Sequence, residues 1–75
     1  MIGYSQKLIE ANKAANQQHI GVKLGKACIK KDVPVQVVCK MIGVSRTTIY
    51  SWFTGKSLVS VHYLPNIKSV LRELA

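Results

Sequence analysis

The sequence predicts an all-α fold, a compact bundle of about five short helices, and three observations carry that expectation. Apolar residues recur at helical spacing through most of the chain rather than alternating as they would on a strand. Gly43, Gly55, Pro34 and Pro65 fall where helices stop and start, the places where glycine's positive φ and proline's missing N–H are tolerated. At 75 residues the core is small, and unstapled domains of this size are mainly helical, because helices close their hydrogen bonds locally. An apolar content of 48% supplies one such core.

The first helix is expected over residues 4–18, with Ser5 as N-cap and Tyr4, Leu8, Ala11 and Ala15 on one face. Asn12, Asn16, Gln17 and Gln18 weaken it, so it packs on the rest of the chain rather than standing alone. A second helix is expected over residues 19–31, with Ile20, Leu24 and Ala27 or Cys28 inward and Lys30 and Lys31 at its negative end. Gly21 and Gly25 there mark either a close approach of another backbone or a break near Gly21. Asp32 is read as a cap before Pro34, which opens a helix through Ile42 that meets Gly43. Ser45 caps the next helix, residues 46–54, and Gly55 ends it. Residues 56–64 read as a loop or a short turn, and Pro65 opens a last helix with Ile67, Val70, Leu71 and Leu74 inward.

Eleven Lys and Arg against three acids give a formal net charge of +8 and a pI near 9.9. A polyanionic partner is the leading expectation, although charge alone does not separate DNA from RNA, an anionic membrane or an acidic protein. Two cysteines are too few for a disulfide scaffold. No apolar run approaches the length of a membrane span or of a signal peptide's core, so a reducing, cytoplasmic setting without membrane contact is expected.

The segment around Gly43 is the most informative. A tight turn between two steeply crossing helices demands glycine at the turn, a small residue four positions earlier and an apolar wedge around both. Gly43, Cys39 and the set Val38, Ile42, Val44, Ile49 and Trp52 meet these demands. The expectation is a helix-turn-helix over residues 35–54, with the helix that begins near Ser45 in the major groove. Cys39 is expected to be its least tolerant small position, and Cys28, Leu64, Ile67 and Leu71 complete the expected core. With Ile49 and Trp52 inward, Arg46, Thr47, Tyr50 and Ser51 form the outward, base-reading face. Arg46 can fork onto guanine O6 and N7, and Thr47 can meet a thymine methyl. Tyr50 can reach a phosphate or base edge, or pack along the helix flank.

The run from Ile42 through Trp52, IGVSRTTIYSW, followed by Gly55 and Lys56, resembles the Cro-type and lambda-repressor-like family. The resemblance covers residues 20–74. It implies a helix-turn-helix DNA-binding domain over 20–75, helices near 20–31, 35–42 and 45–54, two later helical pieces, and base contacts from Arg46, Thr47 and Ser51. Residues 1–19 lie outside it as an extra N-terminal helix. Many members carry Gln at the motif's first position, where it touches phosphate; here Val35 stands there with Gln36 beside it. Gln36, Lys40, Ser45 and Lys56 make up the expected phosphate-contacting set. The resemblance further implies a sequence-specific double-stranded DNA-binding regulator, a repressor of a phage or mobile element; a homodimer on DNA is expected separately, because one recognition helix reads too few base pairs for tight selection.

Other chemistries are poorly served. His19, Cys28, Cys39 and His62 lack the close pair spacing of zinc sites. Glu10, Asp32 and Glu73 are assigned to separate helix ends or exposed faces, and no cysteine has a neighbouring histidine, so neither catalysis nor a cofactor is expected. Two rival functions remain. One is an interaction module that docks on polymerase or another regulator through Trp52, Phe53 and Tyr63, with Phe53 exposed unless the C-terminal segment covers it. The other is non-specific coating of DNA.

Overall fold

The computed structural model describes residues 4–74, and within them the chain is all-α. Its helices are α1 (Gln6–Ala14), α2 (Ile20–Lys30), α3 (Val35–Ile42), α4 (Arg46–Phe53) and α5 (Leu64–Leu74), with a 3-10 turn at Val61–Tyr63 leading into α5. The bundle measures 29 × 24 × 23 Å. Of the expected N-terminal extension over residues 1–19, residues 1–3 lie outside the described residues, as does residue 75 of the expected domain over 20–75.

Capping explains most boundaries. The Ser5 hydroxyl accepts from the Leu8 N–H at 3.2 Å, and that of Ser45 accepts from the Thr48 N–H at 3.3 Å, each satisfying an otherwise orphaned donor. α1 is shorter than its expected extent, stopping at Ala14. Gln17 explains this by folding back, its amide donating to the carbonyls of Asn12 at 2.8 Å and Ala15 at 3.0 Å. Gly43, at φ 88°, ends α3 in the left-handed region, and its N–H donates to the Cys39 carbonyl at 2.7 Å. Pro65 sits in the first turn of α5 as expected.

Asp32 does not cap α3. It adopts a left-handed φ of 54° just beyond α2, where the chain reverses and the Val33 N–H donates to the Cys28 carbonyl at 2.9 Å. Pro34, extended, occupies the cap position instead.

α2 runs unbroken through both glycines, which face α4. A Cβ on Gly21 would lie 2.8 Å from the Cβ of Trp52, and one on Gly25 would lie 2.8 Å from Cγ of Phe53 and 2.7 Å from Nδ2 of Asn12. Only glycine admits so close an approach. Cys39, expected to be the least tolerant small position, is only half-buried.

The core joins Leu24 and Cys28 of α2, Val38 and Ile42 of α3, Ile49, Trp52 and Phe53 of α4, and Ile67 and Val70 of α5. Cys39, Val44 and Leu71 pack at its margin, and Leu64 is half-buried. Phe53 is fully buried, covered by Tyr4, whose ring centroid lies 6.0 Å away, and by the flat surface at Gly25. Tyr4, just before α1, supplies that cover, where the sequence pointed to the C-terminal segment.

The inner face of the α1 segment holds Tyr4, Leu8 and Ala15 as expected, but Asn12 takes the place of Ala11. Ala11 is exposed, and Asn12 is buried with Tyr4 beside the half-buried Leu8 and Ala15. The Asn12 amide donates to the carbonyls of Val22 at 3.1 Å and Phe53 at 2.7 Å, tying α1, α2 and α4 at one buried point. The Tyr4 hydroxyl donates to the carbonyl of Val33, between α2 and α3.

Candidate nucleic-acid interface

α4 has two chemically distinct faces. Ile49, Trp52 and Phe53 are inside, at most 3% exposed. Arg46, Thr47 and Tyr50 are exposed, and Ser51 is half-buried beside them. The helix is anchored by apolar and aromatic side chains on one side and left with hydroxyls and a guanidinium on the other, a composition suited to hydrogen-bonding the edges of bases.

Lys56 is placed by the helix's end. Thr54 caps α4, Gly55 takes a φ of 75°, and the chain turns back so that the Lys56 N–H donates to the Ser51 carbonyl at 2.9 Å. The exposed Lys56 side chain therefore starts at the C-terminal rim of the outward face. Ser45 stands at the opposite end, with its hydroxyl oxygen 3.1 Å from that of Thr48. Gln36 and Lys40 are exposed and one helical turn apart on α3. Val35, at the position where Gln would touch phosphate in the resembled family, is 8% exposed and belongs to the core.

An open cleft of about 600 Å³ runs between α1 and α4. Thr47, Tyr50, Ser51, Thr54 and Lys56 line one wall, and Tyr4, Ser5, Lys7, Leu8 and Ala11 line the other. Four of the expected contact residues, Thr47, Tyr50, Ser51 and Lys56, thus come together on one surface. Arg46, Ser45, Gln36 and Lys40 lie outside its lining. Sequence reasoning missed the α1 wall. Its signal was present, since Lys7 shares a helical stripe with Tyr4, Leu8 and Ala11, but nothing local says that this stripe faces α4.

Burial pushes the Cys28 thiol up to about 12, so at neutral pH it is the protonated form, neither nucleophile nor ready metal ligand. Burial, with neighbouring titratable groups, also pushes the Tyr4 hydroxyl above the ordinary phenol range, keeping it a donor to Val33. His62 packs edge-on against the ring of Tyr63, with centroids 5.1 Å apart. Among the described residues no three His, Cys, Asp or Glu side chains converge, and no helix is long and apolar enough to cross a membrane. Comparison with protein-family models, curated proteins and solved structures found no match to the chain.

Proposed function

We propose that the chain is a sequence-specific double-stranded DNA-binding regulator, with α3, the turn at Gly43 and α4 acting as a helix-turn-helix that lays α4 in the major groove. The observation that carries this reading is the division of α4: Ile49, Trp52 and Phe53 fix it from within, while Arg46, Thr47, Tyr50 and Ser51 are left outward with no structural task of comparable size. A net charge of +8 supplies the attraction to phosphate.

In this reading Arg46 donates two hydrogen bonds to a guanine edge, Thr47 and Ser51 read neighbouring bases, and Tyr50 reaches a base edge or phosphate. Gln36, Lys40, Ser45 and Lys56 hold the sugar-phosphate backbone and set the register. One recognition helix reads few base pairs, so two copies on a two-fold site are proposed for tight selection. A repressor's role in the cytoplasm of a bacterial or phage-infected cell rests on the family resemblance. The rival docking role loses two of its three anchors, because Trp52 and Phe53 are 3% and 0% exposed and have no surface to offer a partner.

The test is selection of bound duplexes from a random pool. A defined, two-fold motif is the expected result. Recovery of motif-free, salt-sensitive binders alone would replace regulation by non-specific coating, and no binding would remove the reading.

A further inference from the structure

We propose that the cleft between α1 and α4 holds one sugar-phosphate strand of the duplex, with Lys7 of the N-terminal helix and Lys56 gripping phosphates from its two walls. This rests on the DNA-binding reading and adds a contact surface that lies outside the α3–α4 unit.

The argument begins with width. A B-form major groove is about 12 Å across, and a helix with its side chains is about 10–12 Å thick. A helix seated in the groove therefore has a backbone strand along each flank. α1 stands across an open gap from α4, whose wall there is Thr47, Tyr50, Ser51 and Thr54; a strand in the gap lies towards Thr54 and Lys56, with Thr47, Tyr50 and Ser51 between it and the bases.

The lining has matching chemistry. Lys7 and Lys56 contribute its cationic groups, and no carboxylate contributes to it. Ser5 adds a hydroxyl near the start of α1. Leu8 and Ala11 line the same wall with apolar surface suited to deoxyribose. The Tyr4 hydroxyl is spent on the Val33 carbonyl, so its ring rather than its oxygen is presented to the cleft.

The wall is also fixed before DNA arrives. The Asn12 amide donates one hydrogen bond to Phe53 of α4 and one to Val22 of α2. Tyr4, just before α1, packs on Phe53, so the wall is held both to the helix that reads the bases and to its neighbour. Little ordering entropy is then lost on binding. Lys7 would act as a holder, indifferent to sequence, and would extend the footprint by the strand flanking the groove.

The experiment measures affinity for a labelled random-sequence duplex at several salt concentrations, for the wild type, Lys7→Gln, Ala11→Glu and, as control, Lys13→Gln. All three sites are exposed, and Lys13 is on α1 but not in the cleft lining; melting curves confirm that each variant folds. Lys7→Gln is expected to weaken binding about three- to tenfold and lower the salt slope by about one unit, the signature of one lost phosphate contact. Ala11→Glu, which puts a carboxylate in the strand's path, should weaken it further. Lys13→Gln should leave the slope unchanged. Equal effects of Lys7→Gln and Lys13→Gln overturn the clamp, as does tighter binding by Lys7→Gln, which would mean that α1 obstructs α4. A wild type that binds no duplex removes the underlying DNA-binding reading instead, whereas wild-type binding with an unaltered Lys7 variant removes the clamp alone.

Discussion

α4 is held from two sides by different means. Against α3 the contact is an apolar wedge of Val38, Ile42 and Ile49, closed by the Gly43 turn and flanked by the half-buried Cys39. Against α2 the backbones approach through Gly21 and Gly25, with no space left for even one methyl group. α1 then adds a buried amide to that second seam, Asn12, whose donors serve two carbonyls. An apolar wedge adapts to small changes of volume, whereas a seam of backbone contacts and buried hydrogen bonds does not. The α2 side therefore sets where α4 sits, and the α3 side sets the angle at which the chain delivers it.

Substitutions at the two seams should separate them. The largest loss is expected for Gly25→Val, about 3 kcal/mol in denaturant titration, because the branched side chain enters space held by the Phe53 ring and the Asn12 amide. A loss below that of any α3-side variant would contradict the tight seam. Asn12→Ala should follow at about 2 kcal/mol, leaving the carbonyls of Val22 and Phe53 without their side-chain donor. Asn12→Asp should be no better, since a carboxylate repels both carbonyls, and a stable Asp variant would show that the amide is not oriented as described. Cys39→Leu should cost least, about 1 kcal/mol, because this side chain lies at the core's margin and a larger one can lean outward. If it instead equals Gly25→Val, the two seams are alike and the distinction fails.

The same contrast explains what could be read from the sequence. The α3 seam is local: Cys39, Gly43, Ser45 and Ile49 lie within eleven residues, and their spacing alone gives the turn, the cap and the inward face. The α2 seam joins residues 28 to 41 positions apart, Gly25 to Phe53 and Asn12 to Phe53. The glycine pair fits either a close approach or a break in α2, and nothing local chooses between them or names a partner. From sequence Asn12 only weakens α1, because burial of an asparagine is invisible until its two carbonyls are in place, and Phe53 looks exposed for the same reason, since Tyr4, its cover, is 49 residues away. Of the candidate site, the outward residues of α4 were legible from helical period, and the opposing wall with Lys7 was not.

The claim that α4 reads bases is tested most directly by comparing Arg46→Ala and Lys56→Ala on a selected duplex and its scrambled counterpart across salt concentrations. Both positions are exposed, so folding is not at stake. Arg46→Ala is expected to cost about 1–3 kcal/mol on the selected site, to relax preference at one base pair, and to spare the scrambled duplex. Lys56→Ala should weaken both duplexes by similar factors and reduce the salt slope by about one unit. If Arg46→Ala lowers both affinities equally, α4 does not read the groove, and the central claim is contradicted.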